Sequence, residues 1–402
     1  MAAIERIVIA GAGQAGGRAA EALRAAGFAG AVTLIGAEPQ PPYERPQLSK
    51  QFLAAPDIDA SYLRTAESWR GELAVDLVTG TELTAGDSAR RVVADRAGRE
   101  FAFDRLLIAT GTVPRQVAAL AGDPRVHVLR SIADAARLRP HLHGQARVVI
   151  VGGGVIGLEA AAAAAKLGCA VTVIESAPQL LARAFPKLVS DVVEARHRSA
   201  GVDFRFGVTV AEATAAGVRL GDGHELAADI ILVGVGVEPA PGLAQALGLA
   251  CAGGIAADAF GATDNPAILA AGDVALQFSP WHGRSLRIET WANAQNQAIA
   301  AARNMIGPQK AYADPPWFWT DQYELNIQVV GDLGDAEHVV RGSVEAGRFC
   351  VAGLRDGELV GAVAVNVAKE MALYRRLVAA RAKVSQSDLA SPGFDLKRAL
   401  AA

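Results

Sequence analysis

The chain has little cysteine. Its three cysteines, Cys169, Cys251 and Cys350, stand far apart in 402 residues and form no Cys-x-x-Cys pair. That spacing excludes a disulfide framework and suits a reducing compartment, so a cytoplasmic protein is expected. Aromatic residues are scarce as well, at 5% against 51% hydrophobic, which leaves a core of Ala, Val, Leu and Ile between closely packed helices. No apolar run approaches the roughly 18 residues that a membrane-spanning helix needs. Near the N-terminus, Glu5 and Arg6 lead at once into a short apolar strand and glycines, a pattern unlike a signal peptide. The formal net charge of −3 argues against nucleic acid as a partner, and Lys397 and Arg398 are too few to form a basic arm. No Walker loop, zinc constellation or nucleophile elbow occurs, and His141 and His143 read as surface residues flanking Pro140.

Glycine, at 42 residues, is abundant and has no collagen-like period, so it signals tight turns. Its placement reveals a repeat. A short buried strand, Ile7-Val8-Ile9-Ala10, runs into Gly11-Ala12-Gly13-Gln14-Ala15-Gly16, an Ala-rich helix to about Gly27 and a second strand, Ala31 to Ile35. The order returns with Val148 to Val151, Gly152-Gly153-Gly154-Val155-Ile156-Gly157, a helix ending near Gly168, and Val171 to Ile174 closed by Glu175. Each copy continues into hairpin-rich sequence, such as Gly221-Asp222-Gly223, and closes with an apolar strand ending in glycine: Asp104 to Gly111, then Asp229 to Gly236. A further strand ends at Gly272-Asp273, before a helical stretch from about Glu289 to Met305. The remainder changes character, with two strands around the turn Arg355-Asp356-Gly357-Glu358 and a helix from about Ala368 to Lys383. The expected fold class is α/β: two Rossmann-like dinucleotide-binding domains, glutathione-reductase-like, followed by a C-terminal α+β domain.

In such a strand–turn–helix unit the first glycine permits the turn, the second lets backbone approach a pyrophosphate, and the third lets helix and strand pack closely. The helix N-terminus supplies N–H donors and positive potential. Gly11, Gly13, Ala15 and Gly16 form the first candidate cradle; Gly152, Gly154, Ile156 and Gly157 form the second, with Thr110, Gly111 and Gly236 at the closing strand ends. An acid after the second strand accepts from ribose hydroxyls. Glu175 lies 23 residues past Gly152, near the usual separation, whereas Glu38 lies 27 past Gly11. A carboxylate there repels a 2′-phosphate, so NADH is favoured over NADPH, with Arg183 the nearest cation that could soften the preference.

Other stretches are more specific: Pro42-Tyr43-Glu44-Arg45-Pro46-Gln47-Leu48-Ser49-Lys50, Ala109-Thr110-Gly111, Ala271-Gly272-Asp273, Glu289-Thr290-Trp291-Ala292-Asn293-Ala294, and Pro316-Trp317-Phe318-Trp319-Thr320-Asp321-Gln322-Tyr323. Through these, over nearly its whole length, the chain resembles the FAD-dependent ferredoxin reductases of oxygenase systems, the family of putidaredoxin reductase and the dioxygenase reductase components. The resemblance implies an FAD-binding domain over 1–111 and 241–320, an NAD-binding domain over 112–240 and a C-terminal domain over 321–402. It implies FAD pyrophosphate at Gly11 to Gly16 and ribose near Glu38, although the family often carries an acid at the position of Ala37. Arg45, Lys50 and Arg130 match positions that contact FAD, and the Leu83 backbone one near the adenine. Asp273 would bond the ribityl chain and Trp291 would lie by the isoalloxazine. Glu159 matches a position at the flavin–nicotinamide junction, where it is expected to pair with Lys50 as the catalytic pair.

Relatives of this architecture that reduce disulfides or oxygen species need a thiol at the flavin. Where they carry cysteine early in the FAD unit, this chain reads Arg45-Pro46-Gln47-Leu48-Ser49-Lys50, and Cys169 reads as a small core residue. Electrons would then leave the flavin directly, two arriving as a hydride and each departing singly. The expected acceptor is a [2Fe–2S] ferredoxin that supplies a haem monooxygenase or a ring-hydroxylating dioxygenase. The expected assembly is a monomer or weak homodimer. A rubredoxin reductase and an NADH-responsive redox-sensing module are the alternatives. Trp317, Phe318 and Trp319 are read as packing near the flavin edge, with an electron-transfer role as the alternative. Docking of an acidic partner would use Arg64 beside Tyr62, or Arg375, Arg376, Arg381 and Lys383.

Overall fold

A computed structural model describes residues 4–55 and 60–400. The chain divides into two compact units. One comprises the chain up to Arg45 with Ser61–Val113 and Glu238–Asp314; the other comprises Pro46–Ala60, Pro114–Val237 and Pro315–Ala402. In this division the C-terminal segment and the segment carrying Lys50 both group with the second nucleotide unit.

The first unit is built on a five-stranded parallel sheet in the order Ile268–Ala270, Arg105–Ile108, Arg6–Ala10, Ala31–Ile35, Val75–Val78. Its central strands are mostly Val, Ile and Leu because both of their faces are covered, whereas the edge strand Val75–Val78 exposes Asp76. The helices Gln14–Ala25 and Trp291–Ile306 lie against it, and Ala19, Ala20, Leu23, Ala298, Ala301 and Ala302 share one core cluster with Ile7, Ile9 and Leu34. Small side chains let these helices approach closely, which accounts for a core so poor in aromatics. Trp291–Ile306 begins where the Thr290 hydroxyl accepts from the Asn293 amide at 3.1 Å, an N-cap.

The second unit repeats the plan in the order Asp203–Phe206, Ala170–Glu175, Arg147–Val151, Ile230–Val233, Val126–His127, again all parallel. Its glycine-turn helix, Val155–Lys166, is buried from Gly157 to Ala164, and Glu159 is the one charge within that buried run. The same unit carries a five-stranded antiparallel sheet, ordered Trp317–Gln322, Leu325–Gly331, Glu358–Val365, Arg348–Arg355, Glu337–Ser343. The expected hairpin turn is present, with Asp356 at φ 53° and Gly357 at φ 76°, the two positive values that a two-residue type I′ connection requires. The following helix, Ala368–Ala379, buries Met371, Tyr374, Leu377 and Val378 and ends four residues before the expected Lys383. Among the described residues, no helix is long and apolar enough to cross a membrane.

Candidate functional site

The two glycine turns are built alike. Gly11 has φ +113°, and a Cβ there would lie 2.2 Å from the Ala109 carbonyl oxygen. A Cβ on Gly16 would lie 1.8 Å from the Gly11 carbonyl. In the second turn the corresponding distances are 2.5 Å from Gly152 (φ +111°) to the Gly234 oxygen and 2.2 Å from Gly157 to the Gly152 oxygen. First and third glycines are therefore demanded by the protein's own backbone. The middle ones are not. A Cβ on Gly13 would meet only the Arg45 guanidinium at 3.9 Å, and among the described residues no atom lies within 4 Å of one on Gly154. Both middle glycines have extended backbone that any residue adopts, with φ −89° and −83°. The protein's own atoms give no steric reason for either, whereas an occupant of the open space would. Each turn also leads into a helix of 12 residues with no side-chain cap, so the first N–H groups stay available to an anion. The residues present fit a dinucleotide pyrophosphate in each unit.

Around the first cradle, Glu38 lies beyond the second strand, where its carboxylate accepts from the Tyr43 hydroxyl at 2.6 Å and pairs with Arg45. Arg45 also donates to the Tyr43 oxygen at 2.8 Å. Gly272, at φ +79°, has room only because it lacks a Cβ, which would stand 3.0 Å from that of Ala15. Asp273 follows it, and its carboxylate lies 3.5 Å from the Thr112 hydroxyl. Trp291 opens its helix and donates from the indole to Glu44 at 2.5 Å, while Thr110 donates to the Ala240 carbonyl at 2.7 Å. Gly111 has φ +69°. Leu83 pairs with Asp95 in a three-stranded antiparallel ribbon and packs on the core that holds Val8 and Ile35. Arg130 belongs to the second unit, just before the Ile132–Leu138 helix, where its amide donates to Asp134 at 3.2 Å.

Around the second cradle, Glu175 ends its strand with one oxygen accepting the Gly153 amide at 2.8 Å and the other the Ala177 amide at 2.8 Å. The carboxylate is thereby held against the turn. Ile156, in the first turn of the helix that follows, is 41% exposed, whereas the run from Gly157 to Ala164 is buried. Gly236, at φ +104°, is flanked by Arg115 and by Arg183, each with atoms within 4 Å of where its Cβ would be.

The most concentrated polar cluster lies deeper in the second unit. Glu159 is 4% exposed, and a buried carboxylate is costly unless paired and hydrogen-bonded. Here Lys50 Nζ lies 2.7 Å from Oε1, the Thr320 hydroxyl donates to the same oxygen at 2.6 Å, and the Ser49 hydroxyl donates to Oε2 at 2.5 Å. Lys50 also approaches Asp321 at 4.0 Å and the Trp319 ring at 5.9 Å. The structure thus brings Lys50 and Glu159 together and adds Ser49 and Thr320. Neither addition was assigned a role from sequence. The available signal was the alternation in Trp317–Gln322, which turns Thr320 and Gln322 to the buried side and Asp321 outward.

No thiol stands with these groups. All three cysteines are unpaired, burial pushes the Cys169 thiol up, and it pushes Cys350 up to about 12. Of the candidate docking cations, Arg64 is bound to Glu21 at 2.6 Å and Arg375 lies over the Trp317 ring at 4.4 Å. Arg375, Arg376, Arg381 and Lys383 are exposed. Trp317 and Trp319 stack at 5.4 Å, and Phe318 meets Phe185 edge-on at 5.8 Å.

Two nucleotide cradles on one chain, each with an acid nearby, define a two-dinucleotide flavoprotein class. The chain belongs to the pyridine nucleotide-disulphide oxidoreductase family, which matches residues 5–298, and it carries the reductase C-terminal domain over 317–400. It is 43% identical over 397 residues to the ferredoxin–NAD(+) reductase component of the p-cumate 2,3-dioxygenase system of Pseudomonas putida, an alignment spanning 98% of each chain. Its fold is similar to the crystal structure of the ferredoxin reductase for the CYP199A2 system from Rhodopseudomonas palustris. There the TM-score is 0.95 at 35% identity, covering 98% of this chain and 100% of the other. The covalent putidaredoxin reductase–putidaredoxin complex matches with a TM-score of 0.94 at 34% identity, covering 100% and 99%.

Proposed function

We propose that the protein is an FAD-dependent reductase that carries electrons from NADH to a ferredoxin, and that this ferredoxin is of the [2Fe–2S] type and feeds an oxygenase. The observation that carries the reading is the pair of cradles, each with an open middle glycine and two glycines closed off by the protein's own backbone. FAD, when bound, accepts a hydride and passes electrons on singly, which reconciles a two-electron donor with a one-electron acceptor.

The chain's own residues then divide the work. Gly11 to Gly16 hold the FAD pyrophosphate. Glu38, oriented by Tyr43 and Arg45, takes the ribose, and the Leu83 backbone lies by the adenine. Asp273 accepts from ribityl hydroxyls, Trp291 lies beside the isoalloxazine, and Arg130 serves as a further FAD contact. Gly152 to Gly157 hold NADH, and Glu175 accepts from its ribose and repels a 2′-phosphate. Lys50 and Glu159 form the catalytic pair: Lys50 supplies fixed positive charge where reduction builds negative charge, and Glu159 keeps that ammonium in one place. The C-terminal cations Arg375, Arg376, Arg381 and Lys383 steer an acidic ferredoxin, and the protein works in the cytoplasm as a monomer or weak homodimer.

The test is a visible spectrum of the purified holoenzyme, bleached anaerobically by NADH, followed by steady-state turnover with a [2Fe–2S] ferredoxin and cytochrome c as sink. Protein that purifies colourless and does not respond to NADH ends the reading. Reduction of a rubredoxin but of no ferredoxin reassigns the acceptor.

A further inference from the structure

Behind Glu159 the second unit holds a line of buried polar side chains that its core packing does not require. Thr320 and His197 are 0% exposed and Gln322 is 1%. The Thr320 hydroxyl sits 2.6 Å from Glu159, Gln322 Nε2 sits 3.1 Å from the Thr320 oxygen, Gln322 Oε1 sits 2.8 Å from His197 Nε2, and the Tyr323 hydroxyl sits 3.4 Å from His197 Nδ1. Two come from the strand Trp317–Gln322, one from the helix Lys187–Ser199 and one from the turn beyond the strand.

The polarity of this line follows from its end. A carboxylate only accepts, so Thr320 must spend its single proton on Glu159. Its oxygen is then left to accept, and only the amide nitrogen of Gln322 can donate to it, which settles the amide orientation that hydrogen-bond geometry alone leaves ambiguous. Gln322 therefore turns its oxygen to His197, and Nε2 must carry the imidazole proton. Nδ1 is left to accept from Tyr323. Burial holds His197 below the ordinary histidine range against the opposing bond to Gln322, and the Arg196 charge adds to it, which favours the neutral ring. Burial pushes the Tyr323 phenol up, so it keeps its proton. Every dipole points toward Glu159, and successive bonds of one sense polarise each other.

We propose that Thr320, Gln322 and His197 are positioning residues that act through Glu159, a one-way chain of donors that holds its carboxylate in a single orientation toward Lys50. This rests on the reading of Lys50 and Glu159 as the catalytic pair. Without the chain, a buried carboxylate on an alanine-rich helix would have only Lys50 and Ser49 to orient it.

The experiment uses holoenzyme labelled with 15N in its histidine rings, with His197 assigned by its absence in H197Q. In the wild type, His197 should be the neutral Nε2–H tautomer at pH 7. T320V removes the hydroxyl, releases the Gln322 amide to turn over, and should populate the Nδ1–H tautomer. It should also slow flavin reduction by NADH about tenfold, the scale of one lost hydrogen bond to a charged group. T320S, which keeps the hydroxyl, should restore both. Nδ1–H or doubly protonated His197 in the wild type overturns the proposal, as does T320V with an unchanged tautomer. A tautomer that shifts in T320V while the rate stays at the wild-type value also overturns it, and if E159Q leaves the rate unchanged too, the failure lies in the catalytic reading of Lys50 and Glu159.

Discussion

Gly154→Ala and Gly157→Ala each add one methyl group three residues apart, and the structure sets their effects apart. At Gly157 the methyl would stand 2.2 Å from the Gly152 carbonyl oxygen. The strand–turn–helix unit must open by roughly 1 Å, an overpacking that costs about 1–3 kcal/mol or more. For a unit of this size that is a loss of melting temperature on the order of 5 °C. At Gly154 the backbone is extended, with φ −83° and ψ 180°, and among the described residues no atom lies within 4 Å of the new methyl. Stability should hold or rise by about 0.4–1 kcal/mol, since alanine restricts the unfolded chain more than glycine does. On the proposed reading the methyl would stand where the NADH pyrophosphate meets the turn, and affinity should fall at least about tenfold, or about 1.4 kcal/mol. Calorimetry measures the first quantity, and the NADH dependence of flavin reduction under anaerobic stopped flow measures the second. A Gly154→Ala protein that is stable and saturates with NADH like the wild type refutes the reasoning. So does one that melts as early as Gly157→Ala. The same contrast applies in the FAD unit, where Gly13→Ala should remain folded but purify with less flavin than Gly16→Ala would suggest from its stability.

Lys50→Gln leaves the buried Glu159 carboxylate without its cation and should destabilise by about 2–3 kcal/mol, whereas Glu159→Gln leaves the more exposed ammonium near Asp321 and should cost about 1 kcal/mol. Both should slow flavin reduction, and unaltered reduction rates in both variants would remove the pair from the chemistry. A variant with Cys169, Cys251 and Cys350 all replaced by alanine should keep its NADH-to-ferredoxin turnover; loss of turnover in a folded, flavin-replete protein would show that a thiol takes part. In the native protein at pH 8, Cys350 should resist iodoacetamide, because at about 12 its thiol is almost wholly protonated. His197 ionises below the ordinary histidine range when folded, so it favours the native state above about pH 6.5 and that contribution is lost as pH falls. Replacing it with glutamine should flatten the decline of the unfolding free energy between about pH 6.5 and 5. A decline that stays as steep would mean that other groups cause it.

The cradles were legible because their physics is local. Gly16 and Gly157 meet the carbonyls of Gly11 and Gly152 within the same turn, so spacing announces the turn; what Gly11 and Gly152 meet, at Ala109 and Gly234, is distant along the chain and is supplied by folding. The helix bounds shifted by a residue or two, and by four at the end of the C-terminal helix, as ends do when caps rather than periodicity decide them. Thr290 as a cap and Asp356-Gly357 as a turn behaved as their side chains and backbone freedom require. Glu175 was readable from its distance to the turn, yet its bond to the Gly153 amide was not.

The pairing of Lys50 with Glu159 was proposed from resemblance, and its remaining partners were missed. The three bonds to Glu159 join residues 109, 110 and 161 positions apart, too far for any periodicity to report. His197 and Gln322, 125 positions apart, carry no motif at all. Glu38 with Tyr43 and Arg45 is nearer in sequence, but three polar residues in a loop declare no geometry until the loop is folded.

By itself, the sequence determined where two glycine turns of like build would form and that no Cys-x-x-Cys pair was available, because turn spacing and residue identity settle these within a few positions. Only the tertiary structure decided which donors converge on Glu159, which side chains face His197, and with which unit Lys50 packs. Those outcomes depend on strands and helices meeting across the core, where a buried charge selects its partners by distance and not by their order along the chain.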